Sequence, residues 1–429
     1  MLIWQHGPSQ SGDHSIYSRF GLGDPVPNSV SHMRNMGNIN AIYHDLYHIN
    51  ISNPASYSWL RTVAFDMGMF GSSTRISDGN TSQVVESGNL DYLSIAFPLS
   101  NVVNEILERE ERNYSLSMAF AIVPYTRVGY NISTLEKNEI NGDIERVFLG
   151  TGGTYRFMWG NSIRYKTFSA GINLGYVFGN IEYERNLIFD PEFYAYNNVF
   201  STRYNIKGFD WTGGLQFSPV LRKAATQDGA GARRIHIGIY GGSNTSFSTR
   251  ANITELGVQQ FGRQVNVDTL FAAFGLQGSG TLPGQWGAGV GYQAGEKWLI
   301  GINYEKTFWS NYKNELNPDA LTDAYKWSVG GYYRPDWTSP THFWKRIYYR
   351  YGLFYSKDPS LENSASLESR GITFGLGMPF IHQRKISHLS IGFELGTRGR
   401  NGPIQEDYLR VNIGFTFNDN EWFLKRRFD

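Results

Sequence analysis

The sequence predicts an all-β fold: a transmembrane antiparallel β-barrel of about 14 strands, with an N-terminal hatch or plug segment lodged inside it. Three observations carry this. Apolar residues alternate with Gly, Ser, Ala, Asn and Thr at a period of two through most of the chain. Tyr and Trp recur near the ends of those runs, as interfacial girdles do, at Tyr130, Trp159, Trp298, Trp309, Tyr355, Tyr408 and Trp422. The connections alternate between short and long, the asymmetry of periplasmic turns against extracellular loops.

Residues 1–60 come first and stand apart. They lack period-two strands, carry the turn run GDPVPNS and hold five of the nine histidines. Aromatics mixed with glycine in IYSRFGLGD argue for a folded plug from about Ser15 rather than a free tail. NISNPASYSWL then leads directly into the first strand. The chain therefore divides into a luminal or periplasmic hatch over 1–60 and a barrel over 61–429.

The expected strands lie near 62–76, 88–98, 113–134, 153–165, 168–184, 200–217, 233–247, 266–292, 297–310, 323–334, 346–357, 369–380, 387–397 and 407–418. In the last, Leu409, Val411, Ile413, Phe415 and Phe417 form one wholly apolar face. A soluble sandwich would place bulky side chains on one face and Lys, Glu and Thr on the other. Here the second face is mostly small, which suits a barrel interior. Short turns are expected at Tyr165–Phe168, Gln293–Lys297 and Ile381–Ser387. Longer connections are expected near 77–87, 135–152, 185–199, 248–265, 311–322, 358–368 and 398–406. The run SNVVNEILEREE in the 98–112 connection has the pattern of a brief amphipathic helix, and the boundaries between 244 and 285 leave room for an additional hairpin.

Composition narrows the function. A net charge of +1 with interspersed acids and bases excludes a nucleic-acid surface. The absence of cysteine removes disulfides, thiolate metal sites and a cysteine nucleophile. No run approaches the length of an apolar membrane-spanning helix. The start, MLIWQHGPSQSGDHS, lacks the features of a secretory signal, so a processed or N-terminally truncated form is expected, resident in the bacterial outer membrane. His44 and His48 flank Asp45 at a chelating spacing but no third ligand is evident, and no metal or other cofactor is expected. Ser390 and Glu394 share a face without forming a triad signature, and no nucleophile elbow or phosphate loop occurs, so the chain does not read as an enzyme. Asp66, Arg350, Glu394 and Arg410 are expected to point inward and pair across the lumen or to the hatch, with an ion-selectivity filter as the alternative. The tripeptide Asp268-Thr269-Leu270 resembles a Bacteroidetes O-glycosylation acceptor.

Several segments resemble the FadL/OmpP1-like family of outer-membrane transporters for hydrophobic compounds. They are Asn53-Pro54-Ala55 before the first strand, Pro124-Tyr125 in the third, and LPGQWGAGVGY with KWLIGINYEKTFWSNY over 282–312. YSRFGLGD and the closing NDNEWFLKRRFD are similar to a Bacteroidetes-type branch. The resemblance implies a porin-like channel for fatty-acid-like molecules, a hatch, and lateral exit through a gap in the wall. Pro124 offers a physical basis for that gap, because proline cannot donate to a strand ladder; a harmless bulge near the rim is the other reading. Tyr17, Phe20, Tyr43 and Tyr47 are candidate ligand-facing hatch residues, or else packing residues that hold the plug. Expected partners are outer-membrane lipid and lipopolysaccharide, a hydrophobic small molecule, and other outer-membrane proteins. The alternative function is a non-transporting accessory barrel of a secretion or barrel-insertion assembly, favoured by a polar, well-filled lumen and a continuous wall.

Overall fold

In this computed structural model the described residues are 15–99, 113–137, 143–190, 195–222, 232–261, 264–361, 365–382 and 385–419. Alternation of apolar and small residues folds, as the period of two requires, into one closed antiparallel sheet of 14 wall strands. These are β1 (Val63–Ser77), β2 (Ser82–Pro98), β3 (Tyr114–Glu136), β4 (Ile144–Tyr165), β5 (Phe168–Phe189) and β6 (Asn197–Phe217). Next come β7, in two collinear pieces (Arg233–Gly242 and Thr245–Phe261), and β8, likewise in two (Gln264–Leu282 and Gln285–Ala294). The wall ends with β9 (Trp298–Thr307), β10 (Ala324–Tyr333), β11 (Tyr348–Asp358), β12 (Leu367–His382), β13 (Lys385–Arg398) and β14 (Gln405–Asp419). β14 closes on β1 in continuous register from Gln405↔Ser77 to Asp419↔Val63.

Two corrections to the sequence reading follow. The segments expected as loops near 135–152, 185–199 and 248–265 are largely strand, because β3 to β8 run far beyond the apolar band. On β6 the outward residues change from Phe217, Leu215, Trp211 and Phe209 to Lys207 and Arg203, all exposed. Above that change polar side chains face outward and Tyr204 and Ile206 are buried inside, so the outer apolar band that marks the wall ends while the ladder continues. The doubt over 244–285 resolves the same way: β7 and β8 are one long hairpin, broken only at 243–244 and 283–284. The helix expected from SNVVNEILEREE, the girdle residue Trp422 and most of NDNEWFLKRRFD lie outside the described residues.

The chain from Ser15 to Leu60 runs inside the barrel as short 3-10 turns (Ile16–Arg19, Pro54–Trp59) and one helical turn, α1 (Ser31–Arg34). Its apolar residues Val30, Met33, Met36, Ile39, Ile42, Ile49 and Ile51 are essentially fully buried. Wall glycines make room for it. A Cβ on Gly238 would collide with the carbonyl of Ala41, and one on Gly352 with the backbone of Met36 and Gly37. The small inward face read from the sequence thus has a specific cause: the inner backbone packs directly on the wall.

Candidate functional site

The wall is uneven at one seam. β3 pairs with β4 continuously from Tyr114↔Tyr165 to Glu136↔Ile144 apart from a bulge between Pro124 and Thr126. With β2, on its other side, it pairs only from Pro98↔Ser117 to Leu93↔Ile122. The ladder stops where Pro124 removes a donor and the bulge turns β3 inward, so that residues 126–129 are buried. β2 carries its own irregularity at the same level. The register against β1 shifts between Gly68 and Met69, leaving Asp91 without a β1 partner and buried.

The inner segment takes the place that β2 vacates. Asp24 and Pro25 pair antiparallel with Arg127 and Thr126. The Val26 amide donates to the Tyr125 carbonyl at 3.0 Å, the Ser15 amide to the Gly129 carbonyl at 3.0 Å, and the Gly129 amide to Ser18 Oγ at 3.1 Å. Side chains span the opening itself. Asp91 of β2 accepts from Arg127 of β3 at 2.6 Å and pairs with Arg34 of the inner segment at 2.9 Å, while Arg127 also lies 4.3 Å over the Phe70 ring. One carboxylate therefore ties both edges of the seam to α1. A second centre holds the upper part: Arg398 pairs with Asp24 at 2.6 Å and Asp358 at 2.9 Å, and Tyr17 lies 5.3 Å beneath its guanidinium.

Beside the seam lies a cavity of about 250 Å³. Pro124 and Tyr125 form part of its lining, together with Arg127, Arg156, Glu305, Lys326, Glu394 and Arg410. Arg156 is paired with Asp210 at 2.7 Å and sits 4.5 Å over the Tyr125 ring. Glu394 accepts from the Tyr408 hydroxyl at 3.0 Å, and Arg410 lies 4.7 Å over Phe70. Val123, Trp309 and Phe354 line it as well, so charged and apolar side chains share the cavity.

At the other end of the lumen histidines gather. His48 lies between His32 and His388, with ring centroids 4.8 and 4.4 Å away, while His44 stacks on Trp59 at 4.0 Å and meets His236 at 4.7 Å. Burial pushes His32, His44 and His48 below the ordinary imidazole range. Burial works against ionisation of Asp45 as well, but His48 at 3.3 Å and the Tyr47 amide at 2.7 Å outweigh it and hold the carboxyl well below its usual range. Among the described residues no three His, Cys, Asp or Glu side chains stand in a metal-holding arrangement.

The sequence-predicted residues divide in two. Pro124, Tyr125, Glu394 and Arg410 meet at the cavity. The hatch candidates do not line it: Tyr17 donates to the Ile404 carbonyl at 2.5 Å, Phe20 packs against a buried cluster around Leu22, and Tyr43 donates to Asp45 at 3.1 Å. The Tyr47 carbonyl accepts from Asn418, Asn53 reaches the Ala41 carbonyl at 2.8 Å, Pro54 abuts Gly171 and Gly214, and the Ala55 carbonyl accepts from Ser162 at 3.2 Å. Asp66 and Arg350 are buried away from the cavity. Asp66 accepts from Tyr92 and Thr416 and has His32 at 3.7 Å, whereas Arg350 donates to Ser390 at 2.8 Å. Asp91 and Arg398, which the sequence reading missed, also form ion pairs between the inner segment and the wall. The available signal was a charge, Asp91, breaking the run SGNLDYLSIAF.

A family model, BamG, matches residues 1–429. The chain belongs to the BamG family. The fold of this BamG-family barrel is shared with solved transporters at low identity. The Pseudomonas putida toluene transporter TodX is 13% identical, with a TM-score of 0.55 over 92% of this chain and 99% of its own. A Pseudomonas aeruginosa FadL homologue is 11% identical, with a TM-score of 0.53 over 92% and 98%. The Ralstonia pickettii toluene transporter TbuX is 12% identical, with a TM-score of 0.52 over 91% and 99%. No curated protein matches the sequence. The FadL-like resemblance in the sequence thus corresponds to the fold, while the matching family model is BamG.

Proposed function

We propose that this BamG-family chain is a non-transporting accessory barrel of a larger outer-membrane assembly, of the secretion or barrel-insertion class, in which residues 1–60 serve as a fixed hatch and 61–429 as the barrel. The observation that carries this reading is the lumen: its inner segment is hydrogen-bonded to the wall on several sides, from Asn173 and Gln216 to Asn303, Thr373 and Asn418. Displacing such a segment would break many buried polar contacts together, each costing about 1–3 kcal/mol when its partner is left unpaired. A fixed hatch makes the barrel a rigid body, suited to presenting its outer surfaces to partners.

The seam between β2 and β3 favours a second reading, uptake or efflux of a small hydrophobic, fatty-acid-like molecule past the hatch and out sideways near Pro124. The two readings separate on protein purified natively from its own membrane. Mass spectrometry of its organic extract and of co-purifying proteins should find other outer-membrane proteins in constant ratio and no stoichiometric hydrophobic molecule. Recovery of such a molecule, lost on altering Pro124, would reverse the assignment.

A further inference from the structure

The outer surface of the barrel changes character along a line that crosses β4, β5, β6 and β7. Below it the outward side chains of β6 run from Phe217 through Leu215 and Trp211 to Phe209, all exposed. The eight steps from Phe217 to Phe209 span about 26 Å along the strand, or about 20 Å of height at a tilt of about 40°, most of the ~25 Å apolar band of an outer-membrane barrel. Phe209 therefore lies at the upper membrane interface. It ends a chain of outward rings, with Tyr176 5.0 Å from Phe209, Phe178 6.0 Å from Tyr176 and Tyr155 6.4 Å from Phe178 between ring centroids. Aromatic rings gather at this level because they tolerate apolar and wet surroundings at once.

Two cations stand just above the rings. Lys207 lies opposite Phe178 of β5 on one side and Ser248 of β7 on the other, and Arg250, two residues on from Ser248, lies opposite Asn205. Such diagonal neighbours are about 7–8 Å apart, a span that two long side chains close on one head group. Both are exposed, and among the described residues neither has an ion pair. Arg203, the next outward position above Asn205, differs: Glu182 holds it at 2.8 Å. Asn180 and Asn205, paired in register and exposed, add amide donors and acceptors beside the two free cations.

We infer that this patch is a binding site for lipid A, the phosphorylated glucosamine anchor of lipopolysaccharide. Its phosphates would accept from Lys207 and Arg250, its sugar hydroxyls would meet Asn180 and Asn205, and its acyl chains would lie down the wall over Phe209, Trp211 and Leu174. Two features select this lipid. The patch lies at the end of the wall where β3 to β8 run beyond the apolar band, the side of the long connections, which is the outer leaflet. Cations, amides and rings also occur together, whereas a soluble anion would engage the cations alone and leave the rings uncovered. The site does not depend on the accessory-subunit reading, since it lies on the outer wall and is indifferent to whether the hatch moves.

The test titrates the purified full chain in detergent with bisphosphorylated, hexa-acylated lipid A and counts bound lipid by native mass spectrometry. One lipid should bind per barrel. Lys207→Ala with Arg250→Ala should weaken binding about tenfold, the scale of one lost charge-assisted hydrogen bond. Both side chains are exposed, so this variant should keep the heat-modifiable migration of the folded barrel, and Lys207→Arg with Arg250→Lys should bind as the parent does. Phosphatase-treated lipid A probes the same contact on the parent chain and should also bind about tenfold more weakly. Equal binding by the alanine variant and the parent, equal binding of the phosphatase-treated lipid, or equal binding of phosphatidylglycerol would overturn the inference.

Discussion

Replacing Asp91 with alanine tests the coupling between the inner segment and the seam. The carboxylate is 2% exposed and serves two guanidinium groups, Arg34 at 2.9 Å and Arg127 at 2.6 Å. Without it, Arg34 keeps the Ser29 and Pro27 carbonyls, at 3.3 and 3.5 Å, and Arg127 keeps contacts that include its stacking on Phe70, but neither keeps the Asp91 carboxylate. Removing one partner from a buried ion pair costs about 3–5 kcal/mol, because the remaining charge is left uncompensated. Taking the lower figure, local opening of residues 28–36 should become favourable by about 3 kcal/mol, or about two orders of magnitude in exchange rate. Hydrogen–deuterium exchange read by mass spectrometry on the purified barrel measures this directly. Glu182→Ala is the control, since its pair with Arg203 is solvent-exposed and worth about 0–1 kcal/mol. Exchange of residues 28–36 in Asp91→Ala within about threefold of the parent would refute the reasoning, because a change that small is under about 1 kcal/mol.

Acid should loosen the inner segment. His32, His44 and His48 have pKa values lowered by burial, so below about pH 6.5 the undocked chain takes up protons that the docked one does not, and docking is fully favourable above that range and weakens as pH falls through it. The groups facing these rings are His388, Arg350, Arg334, Asp45 and Asp66 around His32 and His48, with His236, Arg234, Arg164 and Asp45 around His44; the histidines and arginines oppose a second positive charge, and the two carboxyls favour it. Exchange of residues 40–52, corrected for its intrinsic pH dependence, should rise between about pH 7 and pH 5, and a flat profile would contradict the assignment. Gly238→Val should expel the Ala41 region from the wall, seen as protease cleavage near residue 41 in a barrel that still resists unfolding in detergent. Retained protection there would mean that the close approach is relieved locally.

The lower wall was legible because lipid and a packed interior impose different residue types on alternate positions, as in Leu409 to Phe417. The upward extensions over 144–152, 185–189 and 248–261 were not, because runs such as TRANITELG over 249–257 present no continuous apolar face of the kind lipid imposes. Pro124 was found because its missing donor is a property of the residue itself, and it does stand where the β2–β3 ladder ends. Asp91 was missed because its role depends on a bulge that shifts it out of register, which no period-two pattern encodes. Tyr43, Tyr47 and Asn53 to Ala55 lie in the inner segment. Their side chains and carbonyls could be assigned to packing rather than to a ligand only once the wall partners, Asn418 and Ser162 among them, were known.

The central claim, that the barrel works with its inner segment fixed, is tested most directly by a reversible clamp. The chain has no native cysteine, and a Cβ on Gly289 would lie 3.2 Å from that of Ala41 and 2.8 Å from the Ile302 carbonyl, so a small outward shift of the wall there brings the pair to the disulfide spacing of about 3.5–4.5 Å. Ala41→Cys with Gly289→Cys, oxidised in cells that depend on this chain, should leave growth and recovery of its partner proteins unchanged. Loss of both on oxidation, with recovery on reduction, would show that the segment must move and would contradict the account.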